Sequence, residues 1–139
     1  MDRPPQLPQI AVSVVLRHEG RLLLVRRGKP PDEGRWSLPG GRVRFGERLA
    51  DAAARELREE TGVTARIGRL IGPFEVLRDG TGHEPPAHFV VVTFAAHDPE
   101  GSVQAGDDAR GAAWVALDEI HSLHPSAETL SAIAAADEG

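Results

Sequence analysis

The sequence predicts a layered domain of mixed α+β or α/β class with a mixed sheet. Three observations predict it. Apolar, β-branched runs recur at 10–17, 22–26, 87–97 and 112–117, the composition of strands. One segment with helical periodicity, 47–60, separates the early strands from the late ones. An Ala-rich stretch, 126–137, closes the chain as a second helix. Strands, a helix, more strands and a last helix make layers around a sheet.

The elements follow in order. "PPQLP" near the start reads as a frayed tail covering 1–9, which leaves 10–139 as one domain. "IAVSVVLR" is a strand, "HEGR" a turn and "LLLVR" a second strand, so the first pair is a hairpin. "RGKPPDEGRW" is rich in Gly and Pro and reads as a loop, ending in "SLPGG". The helix 47–60 stops at Thr61-Gly62, where glycine suits a left-handed cap. "VTARIGRLIG" is a strand, followed by "PFEVLRD", and "DGTGHEPP" is a turn or loop. "AHFVVVTFAAH" is the strongest strand signal, and a small, acidic run leads from it to the strand "AAWVAL". "DEIHSL" is a helical turn, and Ser126 caps the last helix with Glu128 in its first turn.

Composition narrows the function. A chain of 139 residues, 40% hydrophobic and 27% charged, can bury the core of one domain. A net charge of −5 argues against nucleic acid as the main partner, because phosphate backbones call for a basic surface. There is no cysteine, which excludes disulfides, thiolate nucleophiles and cysteine-ligated zinc. The N-terminal stretch does not read as a secretory signal. "FVVVTFAA" falls far short of the roughly 20 residues a membrane span needs. The expectation is a cytoplasmic protein with no membrane partner.

The helix 47–60 carries an unusual charge pattern. At about 100° per residue, with Glu56 at zero, Glu60 falls near about 40° and Glu59 near about −60°. Leu49, Ala50, Ala53 and Leu57 form the apolar stripe, so the three carboxylates are expected along its edge. Small Ala52 on the same side would leave open space beside them. Like charges at this spacing repel by a few tenths of a kcal/mol per pair. Arg55 precedes Glu59 by four residues and can pair with it, but one arginine does not neutralise three acids. Oxygen-only clustering suits a hard cation such as Mg2+ or Mn2+. From spacing alone, a solvated acidic helix fits equally well.

The flanks decide between these readings. From Gly41 the chain reads "GRVRFGERLADAAARELREETGV". This resembles the Nudix box, matched at Gly41, Glu47, Arg55, Glu56, Leu57, Glu59, Glu60, Gly62 and Val63. "RWSLPGG", "FVVVTFAA" and "WVALDEI" also look like the family, in its usual order.

The resemblance implies an α/β/α sandwich around a mixed sheet. It implies metal-dependent hydrolysis of the pyrophosphate link of a nucleoside diphosphate joined to another moiety. The substrate would be a small nucleotide, with ADP-ribose or a nucleotide sugar favoured by likeness to the branch labelled ADP-ribose pyrophosphatase. A nucleoside triphosphate pyrophosphohydrolase is the alternative, and a non-catalytic nucleotide sensor a third. Glu56, Glu59 and Glu60 would ligate Mg2+ or Mn2+, joined by a carbonyl of Gly41 or Gly40. Arg55 would orient the glutamates and Glu47 would support it. Glu59, then Glu60, is the choice for general base. Asp108 is the candidate late acid, with Asp107 and Glu100 as alternatives. Homodimers are common among similar proteins, and the sequence leaves that state open.

Around this core, Arg27, with Arg26 and Lys29, is a phosphate-binding candidate at the end of the second strand. Arg44 in the box loop is another. Phe74 could line a nucleobase pocket, and His88 begins a strand on the expected substrate side. Trp36 and Trp114 read as packing residues.

Overall fold

A computed structural model of the chain describes residues 6–104, 106 and 109–137. Most of the expected tail (1–5), together with Asp107 and Asp108, lies outside the described residues. In chain order come β1 (Gln9–His18), β2 (Arg21–Arg27), β3 (Trp36–Ser37), β4 (Gly40–Arg42), α1 (Leu49–Thr61), β5 (Thr64–Arg78), β6 (Ala87–Glu100) and β7 (Ala109–Ala116). A 3-10 helix (Leu117–Leu123) and α2 (Ala127–Ala136) complete the order.

The sheet is mixed, as expected. Its strands run β3-β2-β1-β6-β5, with β4 also on β1 and β7 also on β2. β1 and β6 are parallel from Gln9–Phe89 to Leu16–Ala96, and the other pairings are antiparallel. Strand alternation then sorts side chains to two faces. Val12, Val14 and Leu16 of β1 join Phe94 and Ala96 of β6 under Ala52, Ala53 and Leu57 of α1. Val15 turns the other way and packs with Leu22, Leu24, Ile120 and Ile133, under the 3-10 helix and α2. Helices therefore cover both faces. Each fully buried leucine in these layers, such as Leu57, contributes about 1.5–3 kcal/mol.

Three details depart from the sequence expectation. First, α1 begins at Leu49, not at Glu47. Glu47 is drawn into the preceding turn, where its carboxylate accepts the Arg44 N–H at 3.0 Å. Second, β5 continues through Pro73, with register shifts against β6 before it. A proline removes a ladder donor, but among the described residues β5 is an edge strand next to β6, where that loss is tolerated. Third, the residues after the long loop form two short strands, β3 and β4, and β4 adds Gly40 and Gly41 to β1 opposite Ser13 and Val12. The C-terminal cap of α1 and the N-terminal cap of α2 match expectation. Gly62 takes φ 76° and donates to the Arg58 carbonyl, and Ser126 accepts from the Thr129 N–H.

Candidate functional site

α1 carries Glu56 and Glu60 half-buried at the edge of its packed face and Glu59 exposed. The buried residues of the helix are Ala52, Ala53, Leu57 and Thr61. Leu49 is 38% exposed, and Ala50 is also exposed. Both lie in the first turn of the helix; the packed face keeps the expected direction through Ala53 and Leu57, and Glu56 and Glu60 project between Ala52 and Ala53 toward β4. Ala52 is fully buried, so it leaves no open space.

Arg55 organises the acids. Its Nε and Nη2 fork onto Glu47 at 2.7 and 2.8 Å. Nη1 donates to Glu56 at 2.7 Å and to Glu59 at 3.2 Å, and Nη2 also reaches the Arg42 carbonyl. A planar guanidinium has five N–H donors in a fixed fork, so one side chain can hold several acids in set orientations. The hydrogen bonds from Arg55, then the Arg44 N–H, hold the Glu47 carboxyl down to about 2. Those same acids raise the Arg55 pKa above its ordinary value, Glu47 most strongly and against the effect of burial.

Two glycines bring this cluster to a cleft. The Gly40 N–H donates to Glu60 Oε1 at 2.7 Å. A Cβ at Gly41 would stand 2.5 Å from the Glu56 carboxylate, and one at Gly40 would strike the Val12 carbonyl. Any other residue at either position would displace a neighbour. Gly40, Gly41, Glu56 and Glu60 form one end of a cleft of about 370 Å3. Its floor includes Phe74, Val91 and the buried pair Ser13–Thr93, whose hydroxyls are 2.8 Å apart. The far wall is the segment from Arg27 to Asp32, facing Glu128 and Thr129 of α2. A cleft of this size with an apolar floor and a few polar groups suits a small organic ligand.

The residues singled out from sequence divide accordingly. Glu56, Glu60, Gly41, Arg27 and Phe74 line the cleft. Glu59 and Arg55 stand behind the carboxylate end, and Arg44 reaches Glu59 at 3.6 Å from the exposed side. Exposed His88 pairs with Leu77, whereas Phe89 and Val91 line the cleft, so strand alternation sends His88 to the opposite face. Asp108, the proposed late acid, and its alternative Asp107 are outside the described residues. The other alternative, Glu100, is exposed at the end of β6. Sequence reasoning missed Ser13, Thr93, Asp32 and Glu128. An isolated Ser and an isolated Thr within the runs "IAVSVVLR" and "FVVVTFAA" were the available signal for the first two.

The donor set fits a hard divalent cation. It is all oxygen, and the missing Cβ at Gly41 lets the Glu56 carboxylate lie against that backbone. Among the described residues, no three Asp, Glu or His side chains converge as a preformed cage. Glu56 and Glu59 lean on Arg55 and Glu60 leans on Gly40, so cation binding would draw them together.

Comparison with known proteins agrees with this architecture. The family model for the NUDIX domain matches residues 7–135. An ADP-ribose pyrophosphatase of Methanocaldococcus jannaschii is 31% identical over 84% of the chain and 66% of its own length. A MutT-like protein of Streptomyces ambofaciens is 31% identical over 84% of the chain and 69% of its own length. The chain thus spans about two thirds of the length of these relatives. The crystal structure of a MutT NUDIX hydrolase from Burkholderia pseudomallei superposes with a TM-score of 0.81 at 26% identity, covering 93% of this chain and 98% of that one.

Proposed function

The chain belongs to the NUDIX family, and on that premise we propose that it hydrolyses the pyrophosphate bond of a nucleoside diphosphate linked to a second moiety. ADP-ribose and nucleotide sugars are the first substrates to test, in keeping with the name of the archaeal relative. The observation that carries the reading is the lip where Glu56 and Glu60 meet Gly40 and Gly41 at the mouth of the cleft. Carboxylates there face a space that would accept a nucleotide, and a diphosphate would lie beside them.

Glu56, Glu59 and Glu60 would hold Mg2+ or Mn2+, with a backbone carbonyl of Gly40 or Gly41 as a further oxygen. When bound, such an ion would supply positive charge against the negative diphosphate and would lower the pKa of water. The chain's residues do the rest. Arg55 keeps Glu56 and Glu59 in set orientations, and Glu47 keeps Arg55 in place. Arg27 meets phosphate charge from the opposite wall. A carboxylate takes the proton of the attacking water. Glu59 was the first choice for this from sequence. Glu60 lines the cleft and Glu59 does not, so Glu60 is tested beside it.

The likeness to MutT-like proteins keeps a second reading open, cleavage of a nucleoside triphosphate to monophosphate and pyrophosphate. A panel of ADP-ribose, nucleotide sugars, dinucleoside polyphosphates and ordinary and oxidised triphosphates, each with Mg2+ or Mn2+, separates the two. Turnover of triphosphates alone would reject the first reading. Undiminished turnover by both Glu59→Gln and Glu60→Gln would place the chemistry elsewhere.

A further inference from the structure

The far wall of the cleft is a loop that leaves the sheet at Arg27 and returns at Trp36. Some of its bonds run to the end of β2. Arg27 Nε donates to the Pro31 carbonyl at 2.6 Å, Arg26 Nε to the Gly34 carbonyl at 2.9 Å, and the Gly34 N–H to the Arg27 carbonyl at 2.8 Å. Such bonds give the loop a shape. They tie the loop to β2 and do not reach β5 or α2.

Two long-range ties reach further. Arg78, the last residue of β5, forks onto Asp32 through Nε at 3.1 Å and Nη2 at 2.9 Å. Its Nη1 donates to Glu128 in the first turn of α2 at 2.6 Å. Glu84, in the turn between β5 and β6, accepts the N–H groups of Asp32 at 2.9 Å and Glu33 at 3.0 Å. Thr81 braces that turn by accepting the N–H groups of His83 and Glu84. Asp32 itself holds φ 62°, a left-handed conformation that persists where surrounding contacts enforce it. Burial pushes the Asp32 pKa up, but hydrogen bonding and charge from Arg78, with Arg35 and Arg27, outweigh it and the net shift is down. The carboxylate that anchors the loop is therefore kept ionised. Asp32 and Glu128 both line the cleft, across from the glutamates of α1.

We propose that Arg78 is a positioning residue, which joins Asp32 to Glu128 and so fixes the loop 28–35 as the wall that receives the non-reacting part of the substrate. The proposal rests on the cleft being the substrate site. A wall already ordered before binding spares the ligand the entropy cost of ordering it. Arg55 and the carboxylate end are built separately, by α1 and β4. Loss of Arg78 should therefore weaken binding far more than it slows the chemical step.

The test uses Arg78→Gln and, in case that variant folds poorly, Asp32→Asn, which weakens the same ion pair from its other side. Amide hydrogen exchange is measured on the ligand-free protein. Exchange across 28–35 should quicken by about tenfold while α1 keeps its protection. With the best substrate of the panel, KM should rise by about tenfold and kcat stay within about threefold. Arg78→Lys, which keeps the charge without the fork, should recover part of the KM. Adding Asp32→Asn to Arg78→Gln should cost little more, since both remove one interaction. Unchanged exchange across 28–35 in both variants overturns the proposal. So does a loosened loop with unchanged KM, or a fall confined to kcat. If the wild-type chain hydrolyses nothing in the panel, the functional reading fails, and the exchange comparison alone upholds or overturns the loop attachment.

Discussion

At the scale of single residues, the site depends on one cation and one missing methyl. Arg55 Nη1 bridges Glu56 and Glu59 while Nε and Nη2 fork onto Glu47. Lysine is a point charge without that fork. Arg55→Lys should lower kcat/KM by about a hundredfold, the scale of a misplaced catalytic group, with a melting temperature close to wild type. Full activity in that variant would remove Arg55 from the site. Gly41→Ala places a Cβ against the Glu56 carboxylate. It should abolish most turnover while leaving the core layers folded, and steady-state kinetics beside circular dichroism would separate the two effects. Glu47 gives a pH prediction. Its folded pKa is about 2 against an ordinary 4.5. A depressed carboxyl contributes stability that is present above the unfolded value and lost as pH falls through the folded one. Between pH about 4.5 and about 2, wild type should lose stability more steeply than Glu47→Gln. Parallel denaturation midpoints across that window would show that the Arg55 fork contributes nothing to folding.

At the scale of elements, the strands and the second helix were legible because periodicity and capping are local properties. Ser126, for example, caps α2 as its position suggested. The start of α1 was not legible, because Glu47 answers to Arg55, eight residues away, and not to the helix. The burial of Ala52 was not legible for a related reason. An alanine such as Ala52 has no strong preference, and only the packing of α1 on β1 and β6 buries it. The Ser13–Thr93 pair is likewise a product of strand pairing, since β1 and β6 meet in parallel at that register. Both residues are buried, at 8% and 1% exposure. Removing one hydroxyl leaves the other without its partner and should cost about 1–3 kcal/mol, whereas Ser13→Ala with Thr93→Val should be closer to neutral. A double-mutant cycle by urea denaturation reads this directly, and simple additivity of the single losses would exclude a coupled pair.

At the scale of the whole molecule, the layers keep support and cleft apart. α1 packs on one face of the sheet, the cleft opens toward α2, and the glycine pair of β4 is the passage between them. The box residues could be read from the sequence because they fall within one short segment. The far wall could not, because Asp32, Arg78, Glu84 and Glu128 are scattered along the chain and converge only after β5 and β6 pair. The charge of the molecule adds a last consequence. The chain carries −5 overall and gathers glutamates at the cleft mouth, so a diphosphate approaching alone meets repulsion. A divalent cation held there would offset that charge. Binding of a non-hydrolysable ADP analogue should therefore raise the melting temperature only when Mg2+ or Mn2+ is present. At ligand one hundred times Kd, binding to the native state is worth about 2.7 kcal/mol, enough for a clear thermal shift. The metal alone should give a smaller shift, and Glu56→Gln should weaken the joint effect. An equal shift from the analogue with chelator present would mean that the nucleotide is held without the carboxylates, and the proposed role of the α1 acids would then be wrong.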